Sequence, residues 1–179
     1  DREDNAAADG DKNFVTGDRA SASGSWNTVS GLASRAVGVR NIVSGDIAFA
    51  CGTNNIAAGE NTFVVGNGNE VTEFGSMAIG NSNKSRGQGQ FILGGLNEVN
   101  GINAIVVGNS NKATGYGAVV FGDVCEANAA SSVALGYRLI NNAKESVLIG
   151  RHGTFDNSPE NEGAVGIAGG TLEEKKLGL

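Results

Sequence analysis

The sequence predicts an all-β chain wound as a solenoid of 14-residue coils. Glycine recurs every seven residues, the residues between are strand formers, and alternate seven-residue segments differ in polarity. The glycines run Gly10, Gly17, Gly24, Gly31, Gly38, Gly45, Gly52, Gly59 and Gly66. They continue in register at Gly80, Gly87, Gly94, Gly101, Gly108, Gly115, Gly122, Gly136 and Gly150. Only Glu73, Ala129 and Ala143 interrupt this lattice, with no insertion or deletion from position 10 to 150. Such a period excludes a coiled coil, because glycine at this density destabilises a helix. The intervening Val, Ile, Phe and Thr favour strands, so each glycine reads as a turn between short strands.

The true unit is 14 because the sevens differ. Segments such as AFAC before Gly52, TFVV before Gly66 and QFIL before Gly94 are apolar. Most segments between them, such as NTVS, NKSR and NEVN, are polar apart from one central residue. Side chains alternate across a strand. In the apolar strand, Ala50, Val64, Ala78, Ile92, Val106, Val120, Ala134 and Leu148 therefore form an inward column. Beside it runs a small-residue column with Gln90 as its exception. In the polar strand the central residues, from Val29 to Ala127, face inward, and Glu70, Lys84, Glu98, Lys112 and Glu126 form an outward ladder of alternating charge.

The apolar strand is bulky on its outer side as well. One outward column holds Phe49, Phe63, Met77, Phe91, Ile105, Val119, Val133 and Val147. The other holds Cys51, Val65, Ile79, Leu93, Val107, Phe121, Leu135 and Ile149. Such a stripe exceeds what soluble monomers expose. It requires another copy or another chain, and closed cyclic symmetry is the usual solution. Toward the N-terminus the same columns hold Ala7, Asp9, Ser21, Ser23 and Arg35, so a wetter interface is expected there.

Three residues after each apolar-strand glycine stands Asn13, Asn27, Asn41, Asn55, Asn69, Asn83, Asn97 or Asn111. Asn tolerates left-handed backbone and bonds within its own turn, and stacked Asn side chains bond to one another. The column is expected to be a structural turn ladder rather than a binding site.

At this point the sequence resembles the head domains of YadA-like trimeric autotransporter adhesins. The resemblance rests on Ser132–Val133–Ala134–Leu135–Gly136, on Ser76–Met77–Ala78–Ile79–Gly80 and on half-repeats such as Ala113–Thr114–Gly115, and covers about residues 6–150. Related repeats occur in phage tail fibres. The resemblance implies a left-handed parallel β-roll, three chains about an axis, and a non-enzymatic role on the bacterial surface with a host protein, matrix or glycan as ligand. Adhesins of this kind usually avoid cysteine, because a disulfide would obstruct export. This chain has Cys51 in an outward apolar column and Cys125 in the Asn column. They stand about five coils, roughly 24 Å, apart, too far to pair within one chain. Free thiols fit cytoplasmic assembly, as in a phage fibre, better than secretion.

The expected organisation is a β-roll over residues 1–150 of about eleven coils, an irregular segment over 151–170, and a cap or the start of a neck over 171–179. Arg151 to Glu162 reads as a loop and Ala164 to Ala168 as one more irregular strand. The start at Asp1 reads as a fragment or a processed product. No apolar run is long enough for a membrane span, and the net charge of −6, without basic clustering, argues against nucleic acid.

No residues form a recognisable catalytic, cofactor or metal motif. His152 is the only histidine and lacks partners at triad or zinc spacing, so it reads as a surface-loop residue. Asp156, Glu160 and Glu162 read as a solvated loop, and Asp1, Glu3, Asp4, Asp9 and Asp11 as an acidic terminus. No glycine opens a helix as a phosphate loop requires, and the Ca²⁺-binding nonapeptide has a different period. Acyltransferase and ice-binding solenoids do not match: the catalytic histidine and the flat Thr array are both missing. The polar strand and its turns remain free, and Lys84, Arg86, Lys112 and Tyr116 are the candidate ligand contacts.

Overall fold

The computed structural model describes residues 6–169, and the expected cap at 171–179 lies outside them. The chain is a parallel β-solenoid of about 12 turns with coils of about 14 residues. No α-helix occurs among the described residues. The coils group into two compact units, residues 1–89 and 90–179. In the first, five-residue strands from Ala7–Asp11 to Met77–Asn81 alternate with two-residue strands from Phe14–Val15 to Lys84–Ser85. In the second, the series runs from Phe91–Gly95 and Glu98–Val99 to two nine-residue strands, Val133–Asn141 and Val147–Phe155, and a closing strand, Val165–Ala168.

Each strand pairs in parallel with the residue 14 positions on, as in Phe49↔Phe63 and Lys112↔Glu126. The last step is longer: Val147 pairs with Val165, so four extra residues are accommodated without loss of register. The expected loop from Arg151 is corrected here. Residues to Phe155 extend the strand, because Tyr137, Leu139, Ile140 and Asn141 offer Arg151, Gly153, Thr154 and Phe155 a pairing edge. The irregular part is confined to residues 156–164, with a single 3-10 turn at Pro159–Asn161.

The core is thin. Inward positions are filled by Val29, Val43 and Val71 in the first unit and by Ile92, Val99, Val106 and Val120 in the second, all without exposure. The small column carries polar atoms inward, and each is spent on the turns. Ser34 Oγ donates to the carbonyl of Gly45 at 2.6 Å, and Gln90 Nε2 donates to that of Gly101 at 2.8 Å. Gln90 thus fits its column by bonding the same turn carbonyl that a serine reaches elsewhere. No buried side-chain nitrogen or oxygen among the described residues lacks a partner.

The two glycine series serve different ends. Gly24 lies inside a strand at φ 109°, and a Cβ there would stand 2.1 Å from the carbonyl oxygen of Gly38. Gly31 sits in a turn, where crowding alone excludes a side chain, its Cβ meeting Gly45 O at 2.0 Å. The expectation that every glycine is a turn therefore fails for the strand series, eleven of the eighteen lattice glycines. The division explains the exceptions: Glu73, Ala129 and Ala143 all fall in the turn series, and none falls in the strand series up to Gly150. A local shift relieves crowding, but it does not make a positive φ comfortable for an L-residue.

The left-handed residue is also not the asparagine. It stands two after each lattice glycine and recurs every seven residues, with φ near 55° at Lys12, Trp26, Ile47, Val124 and His152 among others. Intercoil bonds hold corners of this kind in both units. The N–H of Trp26 donates to Asp11 O at 3.0 Å, and that of Ile47 to Leu32 O at 2.8 Å.

Candidate functional site

The Asn column forms a buried ladder. In the first unit Asn13, Asn27, Asn41, Asn55, Asn69 and Asn83 are linked, each Oδ1 accepting from the backbone N–H and the Nδ2 of the next at 2.9–3.1 Å. The Nδ2 groups also donate to strand-glycine carbonyls, as Asn55 does to Gly66 at 2.8 Å. In the second unit Asn97 accepts from the Asn111 N–H at 3.0 Å, and Asn111 Oδ1 accepts from the Cys125 N–H at 2.9 Å. Cys125 continues the pattern with sulfur, its Sγ 3.3 Å from Gly136 O. Burial pushes its thiol pKa up. Both cysteines are free thiols.

The outward apolar columns lie on the surface of the chain. In the first unit Phe49, Cys51, Phe63, Val65, Met77 and Ile79 pair in register, and the Phe49 and Phe63 rings stack at 5.2 Å. In the second, Phe91, Leu93, Ile105, Val107, Val119, Phe121, Val133, Leu135, Val147 and Ile149 do the same. None of these side chains is buried, and Phe121 is 46% exposed. The opposite inward column, by contrast, is sealed.

The short strands carry the charge ladder. Glu70 pairs with Lys84 in the first unit, and Lys112 lies between Glu98 and Glu126 in the second. Earlier coils place Phe14, Thr28, Ile42 and Ile56 in the same column, so the solvent side is less polar there than the ladder suggests. Lys84, Arg86 and Lys112 are exposed, and so is Tyr116. Arg86 lies 3.8 Å from Glu70, a surface pair of little energetic weight. Lys84 and Arg86 belong to residues 1–89, whereas Lys112 and Tyr116 belong to the second unit, Tyr116 one residue beyond the turn glycine Gly115.

One cluster was not anticipated. Tyr137 and Arg151 are paired neighbours on adjacent strands, and Arg138 and His152 follow them at left-handed corners. The Tyr137 and His152 rings meet edge-on at 5.4 Å, and the guanidiniums of Arg138 and Arg151 lie 5.1 and 5.6 Å from the Tyr137 ring centre. His152 is thus a strand residue with an aromatic partner. The signal was present as two dipeptides, Tyr137–Arg138 and Arg151–His152, separated by one coil length.

In the loop, Asp156 Oδ1 accepts from the Ser158 N–H at 3.1 Å, from the Ser158 hydroxyl, and from Asn161 Nδ2 at 2.7 Å. The Ser158 hydroxyl above all holds this carboxyl below the usual range. Among the described residues no group of His, Cys, Asp and Glu is arranged to hold a metal ion, and no helix is long and apolar enough to cross a membrane. Compared with known protein families and with characterised proteins, the chain finds no match.

Proposed function

We propose that this chain is a non-enzymatic head segment of a surface adhesin or receptor-binding fibre, assembled as a left-handed β-roll homotrimer and displayed on a bacterial cell. The observation that carries this reading is the pair of unburied apolar columns built around Phe49–Phe63 and Leu93–Phe121. Apolar surface of this regularity costs roughly 25 cal/mol per Å² to leave in water and is relieved by burial against identical columns on other copies. Assembly would commit that face and leave the short strands and the turns for a host protein, matrix or glycan. A second reading, a shaft segment of a phage tail fibre whose binding tip lies elsewhere, is favoured by the free Cys51 and Cys125, which suit assembly in a reducing compartment.

The test is the paired substitution Phe63→Asp and Phe91→Asp. Light scattering should report dissociation to monomers, with circular dichroism still showing β structure. A persistent trimer would remove the interface assignment. Charge reversal at Lys84, Arg86 and Lys112 should then weaken adhesion of the intact trimer, and unchanged adhesion would exclude that face.

A further inference from the structure

The geometry points to an anion-binding site at Tyr137, Arg138, Arg151 and His152 that takes the sulfate or carboxylate of an acidic saccharide. Paired strands stack about 4.8 Å apart, so like charges in neighbouring coils repel. The outward column of the short strands avoids that arrangement, since the Glu98, Lys112 and Glu126 ladder alternates in sign, and on the longer strands Asn109 answers Asp123 with hydrogen bonds of 3.1 Å. Here two arginines are gathered about one tyrosine ring. Neither has an ion-pair partner among the described residues of a chain whose net charge is −6.

The ring orders both guanidiniums by cation–π contact. Their forked donors match oxyanion geometry. Arg138 and His152 are exposed at their corners, and Arg151 is exposed on its strand. The spot is small and bordered by Asp123, the register neighbour of Tyr137 in the preceding coil. That border disfavours a continuous polyanion such as nucleic acid or an acidic peptide run. A saccharide carrying separated oxyanions can set one on the arginines and keep neutral sugar over the border.

The assignment does not depend on surface display or on the trimer, and it is tested on the purified full chain. Titration calorimetry with a singly sulfated lactose and with a sialylated lactose, each carrying one oxyanion on otherwise neutral sugar, should detect saturable binding that weakens as salt rises. The two arms separate sulfate from carboxylate preference, and binding to either supports the site. Arg138→Gln with Arg151→Gln should weaken binding at least tenfold, and Tyr137→Leu should weaken it while leaving net charge unchanged. Arg40→Gln with Lys144→Gln, which removes the same charge at exposed positions outside the cluster, should leave it within twofold. Equal affinity in the arginine double variant would overturn the proposal, as would binding to neither saccharide or equally tight binding of a poly-glutamate peptide.

Discussion

Asn41 Oδ1 accepts two hydrogen bonds from Asn55, one from the backbone N–H and one from Nδ2, each 3.1 Å long. Asn55 Oδ1 in turn accepts from the N–H and Nδ2 of Asn69, and its Nδ2 donates to Gly66 O. Every polar atom of the amide is used within a dry wall, so replacing it strands partners on both neighbouring coils. Each net bond contributes about 1 kcal/mol, and each orphaned buried group costs about 1–3 kcal/mol. Asn55→Leu should therefore destabilise the fold by about 3 kcal/mol or more, read from denaturant unfolding. Asn13→Ala, at the half-buried end of the ladder, should cost about 1 kcal/mol. Equal losses at the two positions would show that the ladder does not act through intercoil bonds.

Ile47 holds φ 53° while its side chain is 59% exposed. A left-handed conformation costs an L-residue roughly 1–2 kcal/mol, and a β-branched residue is the least suited to it. Little burial offsets that cost here. Ile47→Asn should raise the unfolding midpoint, with a gain of about 1 kcal/mol. Ile56→Asn is the control: this residue lies in the strand Ile56–Ala57 with ordinary backbone, and the same change there should not stabilise. A loss of stability at Ile47 would mean that its exposed side chain is covered in the assembled protein.

The period made the coil, its register and the inward columns legible, because a parallel stack repeats each chemical environment every 14 residues. Ala50, Val64 and Ile92 were readable as core for that reason, and Gln90 stood out as the one long polar side chain among small ones. The left-handed corners were not legible. Trp26, Ile47 and Val124 share no residue preference, since intercoil N–H bonds fix the backbone there whatever the side chain. The Tyr137–Arg151 cluster was hidden by a related assumption: because the glycine lattice ends at Gly150 and a polar stretch follows, Arg151 looks like the start of a loop. The pairing edge of Val133–Asn141 instead carries the strand through His152 to Phe155.

Asp156 organises residues 156–161 by accepting from Ser158 and Asn161. Those bonds favour the carboxylate, so its folded pKa is depressed. Their contribution is present above the unfolded value of about 3.9. It is lost only as pH falls through the lower folded value. The Ser158 amide resonance should therefore titrate below the ordinary Asp range, and Asp156→Asn should abolish that titration. A midpoint at or above the unfolded value would contradict the loop geometry.

The two thiols should report separately on fold and assembly. Cys125 is fully buried in the second unit, with its pKa raised by that burial. The thiolate is the reactive form, so alkylation at neutral pH should be slow until the chain unfolds. Cys51 is only half-buried on the strand Phe49–Thr53, beside Val65 in the outward apolar columns. In the proposed trimer it is covered, and in the Phe63→Asp, Phe91→Asp variant it is open. Mass spectrometry after timed iodoacetamide labelling should show Cys51 protected in the wild type and modified at least tenfold faster in the dissociated variant. Cys125 should remain slow in both. Rapid labelling of Cys51 in the wild type would place that column in solvent and count against assembly through it, whereas rapid labelling of Cys125 would contradict its place at the end of the asparagine ladder.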